Sequence, residues 1–160
     1  PNLVVKPFGF KVRHILEVLD ELRREGRLKT SGFEEMRVTY HDPCQITRRG
    51  GVVVEPRNLV KMVCSDFVEM DDHGKMNWCC GAGGGVSANE DAHELKLKAF
   101  DRKKAQLDEL HVDTLVTACA NCRIQLEEGL EENDMDIPVV GLTEMLAEHL
   151  VEDKPPAGEA

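Results

Sequence analysis

Strand, cysteine and helix follow one another in the segment Asp113-Thr114-Leu115-Val116-Thr117-Ala118-Cys119-Ala120-Asn121-Cys122. Residues 113–118 predict a buried strand, because a short, largely apolar and β-branched run is typical of a strand covered on both faces. The strand ends at Cys119, and a helix is expected over about 121–131. This order is that of a βαβ unit in which a cysteine stands where a parallel strand ends.

The same alternation of strands and helices extends over most of the 160 residues. It predicts an α/β fold, with a mostly parallel sheet of about four strands flanked by helices in Rossmann-like βαβ units. The remaining predicted strands cover 36–40, 67–70 and 137–142. A first helix is predicted over 11–25, with an apolar stripe made up of Val12, Ile15, Leu16, Leu19 and Leu22. A short helix is predicted from Pro56, and a last helix has Thr143 as its N-cap. The longest helix, 89–110, is predicted to turn inward Ala92, Leu95, Ala99, Leu107 and Leu110.

Cysteines follow three of the predicted strands. Cys44 comes after the strand over 36–40, and Cys119 after the strand over 113–118. The adjacent pair Cys79–Cys80 comes after the strand over 67–70, across a polar turn. Because the carboxyl ends of parallel strands meet at one edge of a sheet, these distant cysteines are expected to share one site.

Five of the six cysteines have the spacing C-x34-CC-x38-C-x2-C, which supplies more thiols than one zinc ion needs. The pair Cys79–Cys80 is the most informative part, because neighbouring thiolates do not easily chelate one small tetrahedral ion but can bind different irons of a cluster. An iron–sulfur centre is therefore favoured. A zinc site, a thioredoxin-like Cys119–Cys122 pair and unrelated structural thiols are the alternatives.

Cys64 falls outside this spacing, on the predicted helix after Pro56. A free cysteine is most often a small buried hydrophobe, and that is the expectation here. A labile sixth ligand or a redox thiol is the alternative.

A glycine run follows the cysteine pair, made up of Gly81, Gly83, Gly84 and Gly85. Glycines permit positive φ and close backbone approach, and successive N–H groups in such a loop can form a nest for an anionic cluster. The N-terminus of the following helix is expected to add partial positive charge. Val86 stands where a dinucleotide fingerprint needs its third glycine, so the run does not match that motif.

The charge distribution argues against nucleic acid as a partner. The net charge is −10, and residues 107–160 carry 14 acidic and 2 basic residues, whereas a nucleic-acid binder usually shows a basic stripe. No apolar run reaches the length of a membrane span, and no export signal is recognisable. We therefore expect a cytoplasmic protein with reduced thiols or metal ligands, peripheral on the inner membrane only through partner subunits.

Three motifs occur in the order His41-Asp42-Pro43-Cys44, Cys79-Cys80-Gly81 and Cys119-x-x-Cys122. Together they resemble the CCG (cysteine-rich) domain of the heterodisulfide reductase family, from about Val38 to Leu150. The segment from Tyr40 to Gly51 is most similar to iron–sulfur subunits of sulfate-reducer transmembrane redox complexes. Together with the patterns at the two ends, this predicts an N-terminal helix and linker (1–35), a five-cysteine iron–sulfur domain (36–152) and a disordered tail (153–160).

The resemblance implies a non-cubane [4Fe-4S] cluster with Cys44, Cys79, Cys80, Cys119 and Cys122 as ligands. It also implies disulfide-type chemistry on a thiol, disulfide or trisulfide substrate, with electrons supplied by other iron–sulfur or cytochrome subunits. Two alternatives stay open at this point. One is an electron relay without substrate chemistry, and the other is a zinc-stapled interaction domain.

Four further residues are candidates for the surroundings of the cluster or substrate. For His41 a satisfied structural histidine is the favoured interpretation, with orientation of the Cys44 loop or contact with substrate as the alternative. Arg48 and Arg49 are candidates for binding an anionic substrate or the cluster, with a solvated loop as the equal alternative. Trp78 is expected to pack beside the cluster and to limit the access of water, which tunes the potential of such centres.

Overall fold

A computed structural model describes residues 9–151 of the chain. Within them, four strands form one parallel sheet in the order β2-β1-β3-β4, which confirms the predicted α/β class. The strands are β1 (Glu34–His41), β2 (Cys64–Phe67), β3 (Thr114–Thr117) and β4 (Val139–Gly141).

Helices cover both faces of the sheet. They are α1 (Ile15–Arg24), α2 (Val54–Val63), α3 (His93–Leu110), α4 (Ala120–Glu131) and α5 (Leu142–Glu148). Short turns of other helical types lie at Gln45–Arg49, Gly74–Met76, Gly83–Ala88 and Glu90–Ala92. Within residues 9–151, no helix has both the length and the apolar composition that crossing a bilayer requires.

The sheet separates two hydrophobic cores. Successive residues of a strand point to opposite faces, so Leu115 packs with α3 and α4 whereas Val116 packs with α1, α2 and α5. Both residues are fully buried, as the predicted two-sided burial of β3 requires. On β1, Val38 and Tyr40 belong to the same core as Val116, and this alternation directs His41 toward α3 and α4.

The strand order creates a crevice between β1 and β3. These strands are neighbours, with Val38 opposite Thr114 and His41 opposite Thr117. The chain leaves β1 through α2 to reach β2 on one side, and leaves β3 through α4 to reach β4 on the other. Such a topological switch point is where parallel α/β sheets bind ligands, outside the carboxyl ends of the strands.

Helix α1 packs on the core that contains β1, through the buried Leu16. Asn58 of α2 donates a hydrogen bond of 3.1 Å to the carboxylate of Asp20 on α1. The predicted apolar stripe is wrong at its N-terminal end, because Val12 precedes the helix and is 82% exposed, and Ile15 is 52% exposed. The predicted tail over 153–160 lies outside the described residues.

The second strand differs from its prediction. It is Cys64–Phe67 rather than 67–70, so Cys64 is the first residue of a strand and not part of a helix. Its Sγ is buried and lies 3.6 Å from the carbonyl oxygen of Met36. The strand lies at the edge of the sheet and exposes Ser65 and Asp66, and therefore it has no continuous apolar run to reveal it.

The inward face of α3 also differs from its prediction. Leu95 is 61% exposed, whereas Lys96, Phe100 and Lys103 are buried. Hydrophobic periodicity treats lysine as polar, and therefore it does not predict that this helix buries the side chains of Lys96 and Lys103. The last helix was predicted to be capped by Thr143, but α5 begins directly after β4 with Gly141 as its N-cap.

Helices α3 and α4 approach closely at Gly129, where an added Cβ would lie 2.5 Å from the buried ring of Phe100. Alanine would gain about 1 kcal/mol of helix propensity, but overpacking a filled core costs about 1–3 kcal/mol. We therefore expect Gly129→Ala to lower the free energy of unfolding in urea by about 1 kcal/mol. Gly83→Ala is the control, since no atom lies within 4 Å of its added Cβ; an equal loss in both variants would contradict the close approach.

Candidate metal centre

Three buried donor groups meet at the crevice between β1 and β3. The Sγ atoms of Cys80 and Cys122 are 3.4 Å apart, although the residues are 42 positions apart in sequence. A ring nitrogen of His41 joins them, so that all three donor atoms lie within 4.8 Å of one another. His41 ends β1, Cys80 lies in the loop before α3, and Cys122 lies in the first turn of α4.

Cys79 and Cys44 extend this group toward the surface. Hydrogen bonding with Cys80 and burial raise the pKa of the Cys79 thiol, while hydrogen bonding with Gly81 N–H and with Cys44 acts in the opposite direction. The Gly81 N–H lies 3.4 Å from the Cys79 sulfur. Cys79 is exposed and Cys44 is half-buried, so this end of the group faces solvent.

The buried end of the group is crowded. Hydrogen bonding with Cys122 raises the pKa of the Cys80 thiol to about 11. Neighbouring thiols resist losing protons when nothing positive lies between them, and a bound cation reverses this because it binds the thiolate form.

Cys119 is the N-cap of α4 and packs against the same core as Cys80 and Cys122. It is half-buried and also lines a small groove on the β4 side. The positive end of the dipole of α4 therefore lies at Cys119 and Cys122, where it favours thiolates. The sequence assigned this role to the helix after the glycine run, but the run itself is part of the turn Gly83–Ala88, and the turn Glu90–Ala92 follows before α3 begins at His93.

The glycine run lets the cysteine loop touch α3. Gly81 has a φ of +95°, and an added Cβ would lie 3.0 Å from the Cβ of Ala99. Gly84 and Gly85 also have positive φ, whereas Gly83 does not. Asn121 of α4 donates a hydrogen bond of 3.2 Å to the carbonyl of Ala82, so the loop is tied to the helix that carries Cys122.

Cys79 and Cys80 lie further beyond a strand than predicted. Strand β2 ends at Phe67, and residues 68–78 bring the pair back to the crevice. A different feature holds this segment in place. The Gly74 N–H donates a hydrogen bond of 2.6 Å to the carboxylate of Asp42, and the side chain of Asn77 donates to the Asp42 carbonyl.

Asp42 is the centre of a buried hydrogen-bond network. Its side chain is fully buried and receives two hydrogen bonds from Arg57, at 2.9 and 2.7 Å, and one from Thr47 at 3.2 Å. Arg57 also binds Glu69, at 2.7 and 3.0 Å. Burial alone would raise the pKa of Asp42, but the Arg57 guanidinium and these hydrogen bonds hold it below its ordinary value. The network ties the loop of Cys44 to the loop of Cys79 and Cys80.

Sequence reasoning gave no role to Asp42, Arg57 or Asn77. Asp42 stands within the motif His41-Asp42-Pro43-Cys44, so the motif itself was the available signal. Its partner on α2 could not be identified, because that pairing depends on how α2 packs beside β1.

Arg48 and Trp78 lie beside Cys79 and, like Arg49, bind protein partners. Arg48 donates to the carbonyls of Lys75 and Asn77, at 2.9 and 2.7 Å, so it holds the loop before Cys79. Arg49 is exposed and donates to Gln45 at 3.3 Å. Trp78 is half-exposed, stacks under Arg102 and donates to the Ala99 carbonyl at 2.7 Å. Arg48, Trp78, Cys79 and Arg102 line an open groove of about 380 Å³.

His41 is fully enclosed, and neither of its ring nitrogens has a hydrogen-bond partner among the described residues. Burial lowers its pKa to about 3, with a further contribution from Lys103, so the imidazole is neutral near pH 7. A buried donor and acceptor without partners is costly and calls for an explanation in each case. Thiols in contact and an orphaned imidazole form a donor set of the kind that binds iron or zinc.

Loss of the Asp42 charge is expected to loosen both cysteine loops. Asp42→Asn should lower the free energy of unfolding by about 3 kcal/mol, because it leaves the Arg57 guanidinium, 12% exposed, with half of its carboxylate partners. Glu69→Gln is the matched control, since Glu69 is 31% exposed and a pair of this kind contributes about 1 kcal/mol or less. Urea titration of both variants measures the difference, and equal losses would contradict the central position of Asp42.

Similarity to known proteins agrees with this geometry. The family model of the cysteine-rich domain, CCG, matches residues 38–127. The chain is 33% identical over 151 residues to one of the subunits of dihydromethanophenazine:CoB–CoM heterodisulfide reductase from Methanosarcina acetivorans, covering 94% of this chain and 36% of that protein. It is 36% identical to one of the subunits of fumarate reductase (CoM/CoB) from Methanothermobacter marburgensis, over 69% of this chain and 22% of that protein.

A third relative is the Hdr-like menaquinol oxidoreductase iron–sulfur subunit 2 of Archaeoglobus fulgidus, 32% identical over 86% of this chain and 26% of that protein. The chain thus spans about a third or less of the length of these relatives. The family model covers more than half of the chain and includes all five cysteines of the spacing. The chain belongs to the cysteine-rich CCG domain family.

Proposed function

We propose that this chain is an iron–sulfur redox domain of a heterodisulfide-reductase-like complex. The observation that carries the proposal is the contact between Cys80 and Cys122, whose sulfur atoms lie 3.4 Å apart at the switch point of the sheet. The names of the relatives support it, since these are subunits of redox enzymes and one is called an iron–sulfur subunit.

Cys44, Cys79, Cys80, Cys119 and Cys122 are the proposed ligands of a [4Fe-4S] cluster of the non-cubane type. The adjacent thiols of Cys79 and Cys80 support a cluster over one zinc ion, because the two can bind different metal atoms of a larger group. Such a cluster supplies single-electron transfer when bound. The chain's own residues hold it, with Gly81 permitting the close loop and Asp42 fixing the two loops relative to each other.

A thiol, disulfide or trisulfide is the proposed substrate class. Reduction of a disulfide consumes two electrons and two protons and yields two thiols, and other iron–sulfur or cytochrome subunits are the proposed source of the electrons. The exposed Cys79 and the open groove beside it support access of such a substrate from solvent. The relative from a heterodisulfide reductase supports the same chemistry.

An electron relay is the second candidate function. The relative named as a menaquinol oxidoreductase iron–sulfur subunit favours it, since passing electrons from a quinol through this domain requires no thiol substrate. The two candidates differ in one measurable respect. A substrate-binding cluster changes its EPR spectrum when a thiol or disulfide is added, whereas a relay cluster does not.

Cluster binding is tested by anaerobic purification of the chain with quantitation of iron and acid-labile sulfide. Cys79→Ser and Cys80→Ser are expected to lose the EPR signal, because each removes a thiolate that the cluster needs. Cys64→Ser is the matched control, since its buried sulfur belongs to the core on the other face of the sheet. One zinc per chain without sulfide would overturn the cluster in favour of a zinc-stapled interaction domain.

Substrate binding is tested on the loaded protein with low-molecular-weight thiols and disulfides. We expect a change in the EPR spectrum of the wild type. An unchanged spectrum across thiols, disulfides and trisulfides would leave the electron relay as the function.

A further inference from the structure

Lys103 of α3 is a buried lysine without a carboxylate partner. Its residue is 1% exposed, and its ammonium lies 3.4 Å from the thioether sulfur of Met70, a weak acceptor. Over residues 9–151, no carboxylate oxygen lies within 4 Å of this nitrogen, as an ion pair would require.

A second buried lysine on the same helix, Lys96, is paired with a carboxylate, as buried ammonium groups usually are. Lys96 is 8% exposed, and its ammonium lies 2.7 and 2.8 Å from the two carboxylate oxygens of Glu128 on α4. Burying a charge without such compensation costs several kcal/mol, so an unpaired buried ammonium indicates that a negative group is expected nearby.

The residues around Lys103 indicate that the expected negative group lies at the cysteine group. Its partner Met70 packs in the core that also contains Cys80 and Cys122. Its charge acts on His41, whose orphaned ring lies against the same two sulfurs.

Burial lowers the pKa of Lys103 to about 8, and the negative charges of Asp72, Asp42 and Cys80 counteract this, while Arg102 adds to it. The charge is therefore largely retained near pH 7. The ammonium lies against Met70 in the buried core that also contains Cys80 and Cys122, whereas Cys79 is exposed.

We propose that Lys103 is the counter-charge of the anionic centre held by the cysteines, and that it raises the reduction potential of that centre. The inference rests on the proposed function, since it requires a thiolate-bound cluster. Such a cluster is anionic and becomes more negative when it takes up one electron. A fixed positive charge in a poorly solvated position therefore stabilises the reduced form more than the oxidised form. No bond is formed or broken in this step, and the electron comes from an external donor.

The test is an EPR-monitored redox titration of loaded Lys103→Met, which keeps the length of the side chain and removes its charge. We expect the equilibrium constant for one-electron reduction to fall at least tenfold, which moves the midpoint potential about 59 mV or more in the negative direction. Lys103→Arg keeps the charge and should stay near the wild type. Lys104→Met is the matched control, because the neighbouring Lys104 is 34% exposed and pairs with Asp108 at 2.7 Å.

A second readout separates the counter-charge from a structural role. Without the cluster, Lys103→Met should unfold at a higher temperature than the wild type, because it removes a buried charge whose only direct partner is the thioether of Met70 among the described residues. A merely structural lysine would give the opposite order. That opposite order would overturn the counter-charge even in a variant that fails to assemble a cluster.

Two failures are distinguishable. A wild-type chain that binds no iron and sulfide overturns the proposed function. A fully loaded Lys103→Met with the potential of the wild type overturns the role of Lys103 alone and leaves the iron–sulfur domain intact.

Discussion

The buried carboxylate of Asp42 is the interaction on which the candidate centre depends. It comes one residue after β1, and it draws together the loop of Cys44, the turn at Gly74 and the guanidinium of Arg57. Residues 68–78 contain no strand that would place Cys79 and Cys80, so hydrogen bonds to Asp42 replace the sheet as the positioning element. A buried ion pair contributes little to stability by itself, but removal of one partner is costly, which makes such a pair effective at specifying one loop arrangement.

Electrostatics at the crevice combine two sources of positive charge. The N-terminus of α4 lies at Cys119 and Cys122, and the ammonium of Lys103 lies buried against Met70 in the core that also contains Cys80. Both sources suit a group of thiolates better than a group of neutral thiols. The side of the sheet covered by α3 and α4 thus carries positive charge that favours an anionic group. The core on the other side of the sheet, around Val38 and Leu59, is apolar.

Much of the fold was predictable because it rests on local signals. The apolar run of β3 and the helix after it matched the structure closely, as did β1 and α2. The errors arose where polar side chains are buried and where a strand is largely exposed. Strand β2 is polar at the edge of the sheet, and α3 buries Lys96 and Lys103, so hydrophobic periodicity misassigned both. Likewise the sequence shows Asp42 and Arg57 only as two charged residues, because their pairing depends on the packing of α2 beside β1.

Residue patterns alone were sufficient for the parallel α/β class, the cysteine spacing and the expectation that distant cysteines meet at one edge of the sheet. These follow from residue periodicity and from the geometry common to parallel sheets, which need no knowledge of packing. The three-dimensional arrangement was needed to learn which thiols touch, that Asp42 holds their loops, and that Lys103 is buried in the same core with no carboxylate of residues 9–151 at ion-pairing distance. Contacts between separate elements depend on how helices and loops pack in space, and no local pattern of residues encodes that.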